Sequence, residues 1–352
     1  MKRLAILLFI LLLMAAIGCS KKSELDKADN AKEVELTPSD KNKELDFNIY
    51  PFTGKKTTGD ISHRAIAVSV SNQTQARPQT GVSKADIVFE MLTEGNITRY
   101  MAIFHSQKPE AVGPVRSARE YFFTLANSYN AIYTYSGAAN FVNDMIYNRG
   151  IEHFQGDYYS PNGPLFVRES FRVTPHNLYL QISSDAVYDE AEKKGYDIEA
   201  DYEPLLFLEE DEDVQGDPAN IAKIDYYGGT PVMTFKYDET TEKYHQYMDG
   251  DQTRELETDE AIAIDNVFIV ETHHEEIDEA LRRHIDVESG GKAYLLQKGK
   301  VQQLEWENRD GRIIPVKDGD AVPFVPGQTW ISFVQIKPEP GVVEQVMIDF
   351  EE

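Results

Sequence analysis

The sequence holds one cysteine in 352 residues, and that scarcity is the first constraint. A disulfide needs two, so no internal bridge staples this fold. Basic charge is also short: 35 Lys and Arg stand against 60 Asp and Glu, a formal charge of −25. Such a balance argues against general nucleic-acid binding and adhesion of the body to anionic lipid or wall polymer, and it also serves simple solubility. The chain has no G-x-S-x-G elbow, no P-loop, no G-x-G-x-x-G fingerprint and no internal repeat. His273-His274-Glu275-Glu276 with the distant His284 lacks an established zinc spacing, and adjacent histidines on a strand point to opposite faces. No metal and no cofactor is therefore expected. After Ile17 no apolar run approaches the length of a membrane span.

What is present begins at the first residues. Lys2 and Arg3 form a basic n-region, Leu4 to Ile17 an uninterrupted apolar run, and small Gly18 precedes Cys19. This is the layout of a bacterial lipoprotein signal peptide over residues 1–18. Fourteen residues rise about 21 Å as a helix, short of the roughly 30 Å hydrocarbon core, so cleavage is expected rather than a permanent span. Ala16-Ile17-Gly18-Cys19 has Ala where the usual lipobox has Leu and keeps the small residue before the cysteine. Acylation of Cys19 supplies at least two chains, enough for stable anchoring where one gives marginal binding. The membrane is then a partner through the lipid on Cys19, the thiol is unavailable for catalysis, and the expected address is the outer face of the bacterial cytoplasmic membrane. Loss of Lys2 and Arg3 with the leader takes the formal charge to −27.

Composition divides the rest. Residues 19–59 are dominated by Lys, Glu, Asp, Asn and Thr and read as a disordered tether, with an aromatic patch at Phe47-Asn48-Ile49-Tyr50-Pro51-Phe52 that either docks back onto the body or is simply loop. Forty flexible residues reach about 35 Å, so the folded body stands off its anchor. From residue 60 the pattern changes. Ala65–Val70, Asp86–Leu92, Ile97–Phe104 and Ala131–Tyr135 read as strands, while Ser117–Ser128, Ala138–Tyr147 and Ser184–Lys194 read as helices. The alternation predicts an α/β domain over 60–213, bounded by Glu209-Glu210-Asp211-Glu212-Asp213 and the Gly216-Asp217-Pro218 break. Beyond it, Val232–Tyr237, Lys243–Met248, Ala263–Val270, Ala293–Gln297, Val301–Trp306 and Trp330–Ile336 predict a β-rich C-terminal domain over 219–352.

The densest functional pattern lies between Arg64 and Arg119. Arg77, Arg99, Arg116 and Arg119 stand among apolar strands, with Asp86, Glu90 and Glu94 interleaved. Guanidinium keeps its charge when desolvated and recognises carboxylate or phosphate bidentately. Gly113-Pro114-Val115-Arg116-Ser117-Ala118-Arg119 adds a turn into the opening of a helix, whose free N–H groups attract anions. Arg77, Arg99, Arg116, Arg119 and Asp86 are thus the candidate anion site. The competing reading pairs the arginines internally with Asp86, Glu90 and Glu94. A second candidate group is Arg168, Arg172, His176 and Asn177, where Pro175 prevents one helix from aligning all of them. His176 beside Asn177 could orient a ligand or move a proton.

The segments Arg77-Pro78-Gln79-Thr80-Gly81-Val82-Ser83-Lys84-Ala85-Asp86-Ile87-Val88-Phe89-Glu90, Glu94-Gly95-Asn96-Ile97-Thr98-Arg99-Tyr100, Gly113 to Arg119, Pro175-His176-Asn177-Leu178-Tyr179 and Gly327-Gln328-Thr329-Trp330-Ile331 resemble the YerB-like lipoprotein family. The resemblance covers nearly all of the mature chain. It implies a Gram-positive cell-surface lipoprotein with an N-terminal and a C-terminal domain of unknown function, and it supplies no reaction. The order of arginine, aspartate, strand and Arg-bearing turn is also loosely similar to LytR-CpsA-Psr phosphotransferases, which hold polyprenyl pyrophosphate through arginines and a metal on aspartate. Where their pattern has an Arg-Asp pair, this chain has Arg116-Ser117. The expectation is a membrane-anchored surface lipoprotein that binds an anionic small molecule or an envelope protein. The alternatives are a phosphotransferase acting on a polyprenyl-pyrophosphate-linked glycan and a structural partner-binding protein.

Overall fold

The apolar runs of both halves enter one large sheet. In the computed structural model, which describes residues 47–210 and 212–336, its strands are β1 (Ile66–Ser71), β2 (Ile87–Leu92), β3 (Thr98–Phe104), β4 (Ile132–Tyr135), β5 (His153–Gln155), β6 (Asn266–Thr272), β7 (Gly291–Gln297), β8 (Lys300–Arg309), β9 (Arg312–Lys317), β10 (Asp320–Ala321) and β11 (Thr329–Gln335). Their order is β10-β9-β8-β7-β6-β11-β2-β3-β1-β4-β5, and Asp217–Pro218 adds a short pairing to β8. Two parallel groups are joined by an antiparallel step. β6, β11 and β2 run parallel, β3 runs antiparallel to both β2 and β1, and β1, β4 and β5 run parallel again.

Three α-helices are present among the described residues: α1 (Glu120–Ser128), α2 (Asn140–Asn148) and α3 (Ala186–Lys193). Residues 132–155 follow the strand, helix, strand order that parallel pairing requires. The expected α/β character of 60–213 is present only in part, since strands dominate throughout and the C-terminal stretch is strand-rich. Val232–Asp238 and Lys243–Met248, with Ile221–Asp225, Asp251–Gln252 and Ala263–Ile264, form a separate five-stranded antiparallel sheet. Its alternation of buried and exposed residues has the period of a sheet with one covered face.

All six residues of β2 are buried, because both faces of the large sheet are covered. Val68, Val70, Val88, Tyr100 and Trp330 share one core with Ile224, Met233 and Phe235 of the smaller sheet. Phe89, Met91, Met101 and Phe333 share the other with Phe122 and Leu125 of α1 and Val142 and Ile146 of α2. Each such side chain contributes about 1.5–3 kcal/mol through removal from water. Glu255, between the two stretches of the chain, accepts from the backbone N–H of Gly81 (2.5 Å) and Ser83 (3.2 Å) and from the Ser83 hydroxyl (2.8 Å).

Two expectations change here. The leader over 1–18, Cys19 and the tether through residue 46 lie outside the described residues, but the part of the tether placed at 47–59 is packed. Asn48–Ile49 pairs with Lys56–Thr57, and Phe52 is fully buried against Tyr129 and Tyr202. Within the aromatic patch, Tyr50 and Phe52 find ring partners while Phe47 and Ile49 stay about half exposed, a division that composition does not reveal. The helix expected to open near Arg116 starts at Glu120, with Arg119 at its N-cap in extended conformation (φ −138°, ψ 152°). The arginines therefore precede the helix rather than occupy its first turn.

Candidate functional site

β1, β4 and β5 end side by side, and their C-terminal residues are polar: Ser69 and Ser71 on β1, Tyr133 and Tyr135 on β4, Gln155 on β5. The space beyond the carboxyl ends of parallel strands is a recurrent ligand position in open α/β sheets. Here the segment before α1 is strapped across it. Arg116 donates its N–H to Ser69 O (2.8 Å), Ser136 donates to Arg116 O (3.1 Å), and Ala118 donates to Gly137 O (3.0 Å). Asp157, just after β5, accepts from Ser136 Oγ (2.8 Å) and Gly137 N (2.6 Å), which ties the β4 and β5 turns together.

Arg99 reaches the same place from β3, where it sits directly opposite Ser71. Its Nη1 donates to Ser117 O (2.9 Å), and its Nη2 lies 3.5 Å from Glu94 Oε2. Arg119 pairs with the other oxygen of the same carboxylate and donates to Ala118 O. One carboxylate thus serves two guanidiniums. Arg116 is different: among the described residues its side chain makes no ion pair and no hydrogen bond, and its Nε is buried without an acceptor. The Nε atoms of Arg99 and Arg119 are likewise buried without one. Buried donors left unpaired are rare in folded proteins. Burial, and then the Arg99 guanidinium, push Arg116 down to about 10.

His176 completes the cluster. Its imidazole is held below the ordinary histidine range by burial first and then by Arg116, Arg172 and Arg99, and its Nδ1 lies 3.4 Å from Ser71 Oγ. On the strand-end side, Tyr133 and Ser69 share a 2.6 Å hydrogen bond, and burial pushes the Tyr133 hydroxyl up to about 12. The result is a concentration of positive charge in direct contact with one carboxylate, Glu94, with Asp278 acting on Arg119 from further away, beside neutral hydroxyl and imidazole groups. Chemically it suits a small anion.

The candidates named from sequence divide accordingly. Arg99, Arg116, Arg119 and His176 come together, and Arg172 approaches His176 while donating to Gln75 O (2.7 Å), Arg77 O (3.4 Å) and Pro78 O. Arg168 and Asn177 instead bond to each other (2.9 Å) across the hairpin of Phe166–Arg168 and Leu178–Leu180. Asp86 does not join the arginines. It lies just before β2, five residues or about 16 Å along the chain from Met91, which pairs with Arg99. Its buried carboxylate accepts from the N–H groups of His105 (3.1 Å) and Ser106 (2.8 Å) and from the Ser106 hydroxyl, and burial pushes it up to about 6. Arg77 is also elsewhere. It pairs with Asp249 (3.0 Å) at a cavity of about 320 Å³ walled by Asn72, Thr98 and Thr230, and Thr98 faces away from Arg99 because neighbouring strand residues point to opposite faces. Of the three carboxylates interleaved with the arginines, Glu94 alone pairs with Arg99 and Arg119, while Glu90 accepts from Trp330 Nε1 (3.1 Å) and Asn72 Nδ2 (3.3 Å).

Sequence reasoning missed Ser69, Ser71, Ser117, Tyr133 and Asp157. A signal existed in β1, where Ser69 and Ser71 interrupt an otherwise apolar strand at period two. Nothing local marks Asp157.

Comparison with known proteins bears on most of the chain. A family described as "Protein of unknown function (DUF3048) N-terminal domain" matches residues 52–197, and its "C-terminal domain" counterpart matches residues 222–331. Strands from both matched stretches meet where β11 pairs with β2. The chain is 44% identical over 288 residues to "Putative lipoprotein YerB" of Bacillus subtilis (strain 168), covering 81% of this chain and 85% of the relative. It is also similar to a crystal structure of the YerB protein from Bacillus subtilis, with a TM-score of 0.75 at 42% identity over 82% of this chain and 96% of the other. Among the described residues, no helix is long and apolar enough to cross a membrane.

Proposed function

Because the chain belongs to the YerB-like family, we propose that it is a lipoprotein anchored through Cys19 at the outer face of the cytoplasmic membrane, and that its N-terminal half binds a small anionic ligand. The N-terminal domain is read as an α/β layer whose strand ends form the site. In support, β1, β4 and β5 are parallel and carry α1 and α2 over one face. The site comprises Arg99, Arg116, Arg119 and His176, with Arg172 at its edge.

The observation that carries this reading is Arg116. A guanidinium kept beside a second guanidinium, with a buried N–H and no carboxylate of its own, is unfavourable for folding unless something else compensates it. A phosphate or carboxylate would do so bidentately. Of the sequence alternatives, phosphotransfer gains no support from Asp86, whose carboxylate is taken up by His105 and Ser106. The test is titration calorimetry of the purified lipoprotein in detergent with pyrophosphate and with citrate. Saturable binding that disappears in Arg116→Ala supports the site, and absence of heat with both anions rejects it.

A further inference from the structure

A second concavity, about 280 Å³, opens between the end of α2, β5 and the segment after α3. Four tyrosines wall it: Tyr147, Tyr158, Tyr159 and Tyr196. Tyr158 is 70% exposed and Tyr147 54% exposed. Contiguous exposed aromatic surface on a folded body is the kind that marks interaction and ligand sites, and tyrosine offers an apolar face with a polar edge.

The polar groups are equally specific. His153 Nδ1 lies 2.8 Å from Ile151 O, so Nδ1 carries the hydrogen and Nε2 is left as an acceptor. Burial, and to a lesser degree Lys194, hold that imidazole neutral. Gln155 anchors its carbonyl on Tyr135 (3.1 Å), leaving its amide N–H groups near Asp157 (3.5 Å). Of the charged groups in the wall, Glu152 pairs with Arg64, while the charged Lys194 ammonium rides 5.7 Å from the centre of the Tyr196 ring. A site of aromatic faces with neutral donors and acceptors, whose carboxylate is paired and whose ammonium lies over a ring, suits a neutral, polyhydroxylated ring. Its size, just below the roughly 300–1,000 Å³ range of ligand pockets, suits a single ring. An extended peptide needs a longer groove.

We propose that this cavity binds one pyranose unit of a neutral glycan, with the sugar's apolar face on Tyr158 and Tyr147 and its hydroxyls on His153 and Gln155. Arg116 does not line this cavity, so Arg116→Ala leaves saccharide binding intact. The test is saturation-transfer NMR on the full lipoprotein in detergent with triacetylchitotriose and cellotriose at millimolar concentration. Transfer to ring protons of at least one trisaccharide is expected, with affinity about tenfold weaker in Tyr158→Ala and transfer lost in the Tyr147→Ala, Tyr158→Ala double variant. Both residues are exposed, and unchanged melting temperatures establish that the variants fold. No transfer to either sugar overturns the proposal, as does undiminished transfer in the double variant. Binding of a proline-rich decapeptide in place of both sugars overturns it in favour of a peptide groove.

Discussion

Arg116→Ala separates a ligand site from a structural arginine more sharply than any other change. Arg116 is pushed down from the ordinary guanidinium range to about 10 by burial and by Arg99, which taken whole is worth about 3 kcal/mol against the folded charged form. The side chain is only partly buried, so solvent screening reduces this to about 1–2 kcal/mol. Truncation also removes the packing of the aliphatic stem, which offsets part of the gain. For a body of this size 1 kcal/mol moves the melting temperature by about 2 °C. Arg116→Ala should therefore melt between no change and about 4 °C higher than the natural protein. Pyrophosphate at a hundred times its dissociation constant adds about 2.7 kcal/mol, or about 5 °C, to the natural protein, and should add nothing to the variant. Arg119→Ala is the contrast. It leaves Glu94 with Arg99 alone and should lower stability by about 2–3 kcal/mol, or about 4–6 °C. If Arg116→Ala instead falls by 6 °C or more and pyrophosphate shifts neither protein, the arginines are scaffold and the anion site is refuted.

Binding should also report on His176. Its imidazole is held neutral by burial and by three guanidiniums, and a bound anion favours its protonated form. Affinity for sulfate, a dianion throughout this range, should therefore rise as pH falls from 7.5 to 5.5, and His176→Ala should remove that dependence in calorimetry. Glu90 makes a stability prediction of definite sign. Burial raises it to about 7 from an ordinary 4.5, so between these values the folded state binds more protons than the unfolded one and stability falls as pH rises. His63, His105, His153, His176 and His274, all held below the ordinary range, act oppositely below pH 6.5. The measurement is accordingly the difference between Glu90→Gln and the natural protein, which should shift in the variant's favour by on the order of 3 kcal/mol from pH 4.5 to 7.5. A difference independent of pH would show that Glu90 is not the group responsible. For the anchor, Cys19→Ser should leave the protein unprocessed or released from the membrane fraction, and unchanged detergent partitioning with unchanged mass would count against lipidation.

Much of the secondary structure was legible because it depends on near neighbours. The run Asp86–Leu92 became β2 at Ile87–Leu92, Lys243–Met248 became a strand with the same limits, and Ala138–Tyr147 became α2 at Asn140–Asn148. Periodicity and β-branched or aromatic content carry that information. The opening of α1 was misplaced because Gly113-Pro114 signals a break without saying how far the extended strap behind it continues. Half of the site was legible too. Arg99, Arg116 and Arg119 stood out as arginines among apolar residues, and His176 stood out in a separate stretch, but nothing in the local pattern joined the two groups.

The sequence by itself determined the leader pattern ending at Cys19, the acidic balance, the local strands and helices, and the presence of uncommon arginines in apolar surroundings. These follow from residue type and spacing. Tertiary structure alone decided that β11 inserts beside β2 and so merges strands from residues 66–155 and 266–335 into one sheet. It also decided that Glu94, rather than Asp86 or Glu90, pairs with Arg99 and Arg119. Register placed Arg99 opposite Ser71 and turned Thr98 to the other face. Such choices depend on which distant strands pair and in what register, and a one-residue slip would have exchanged the two faces of the sheet.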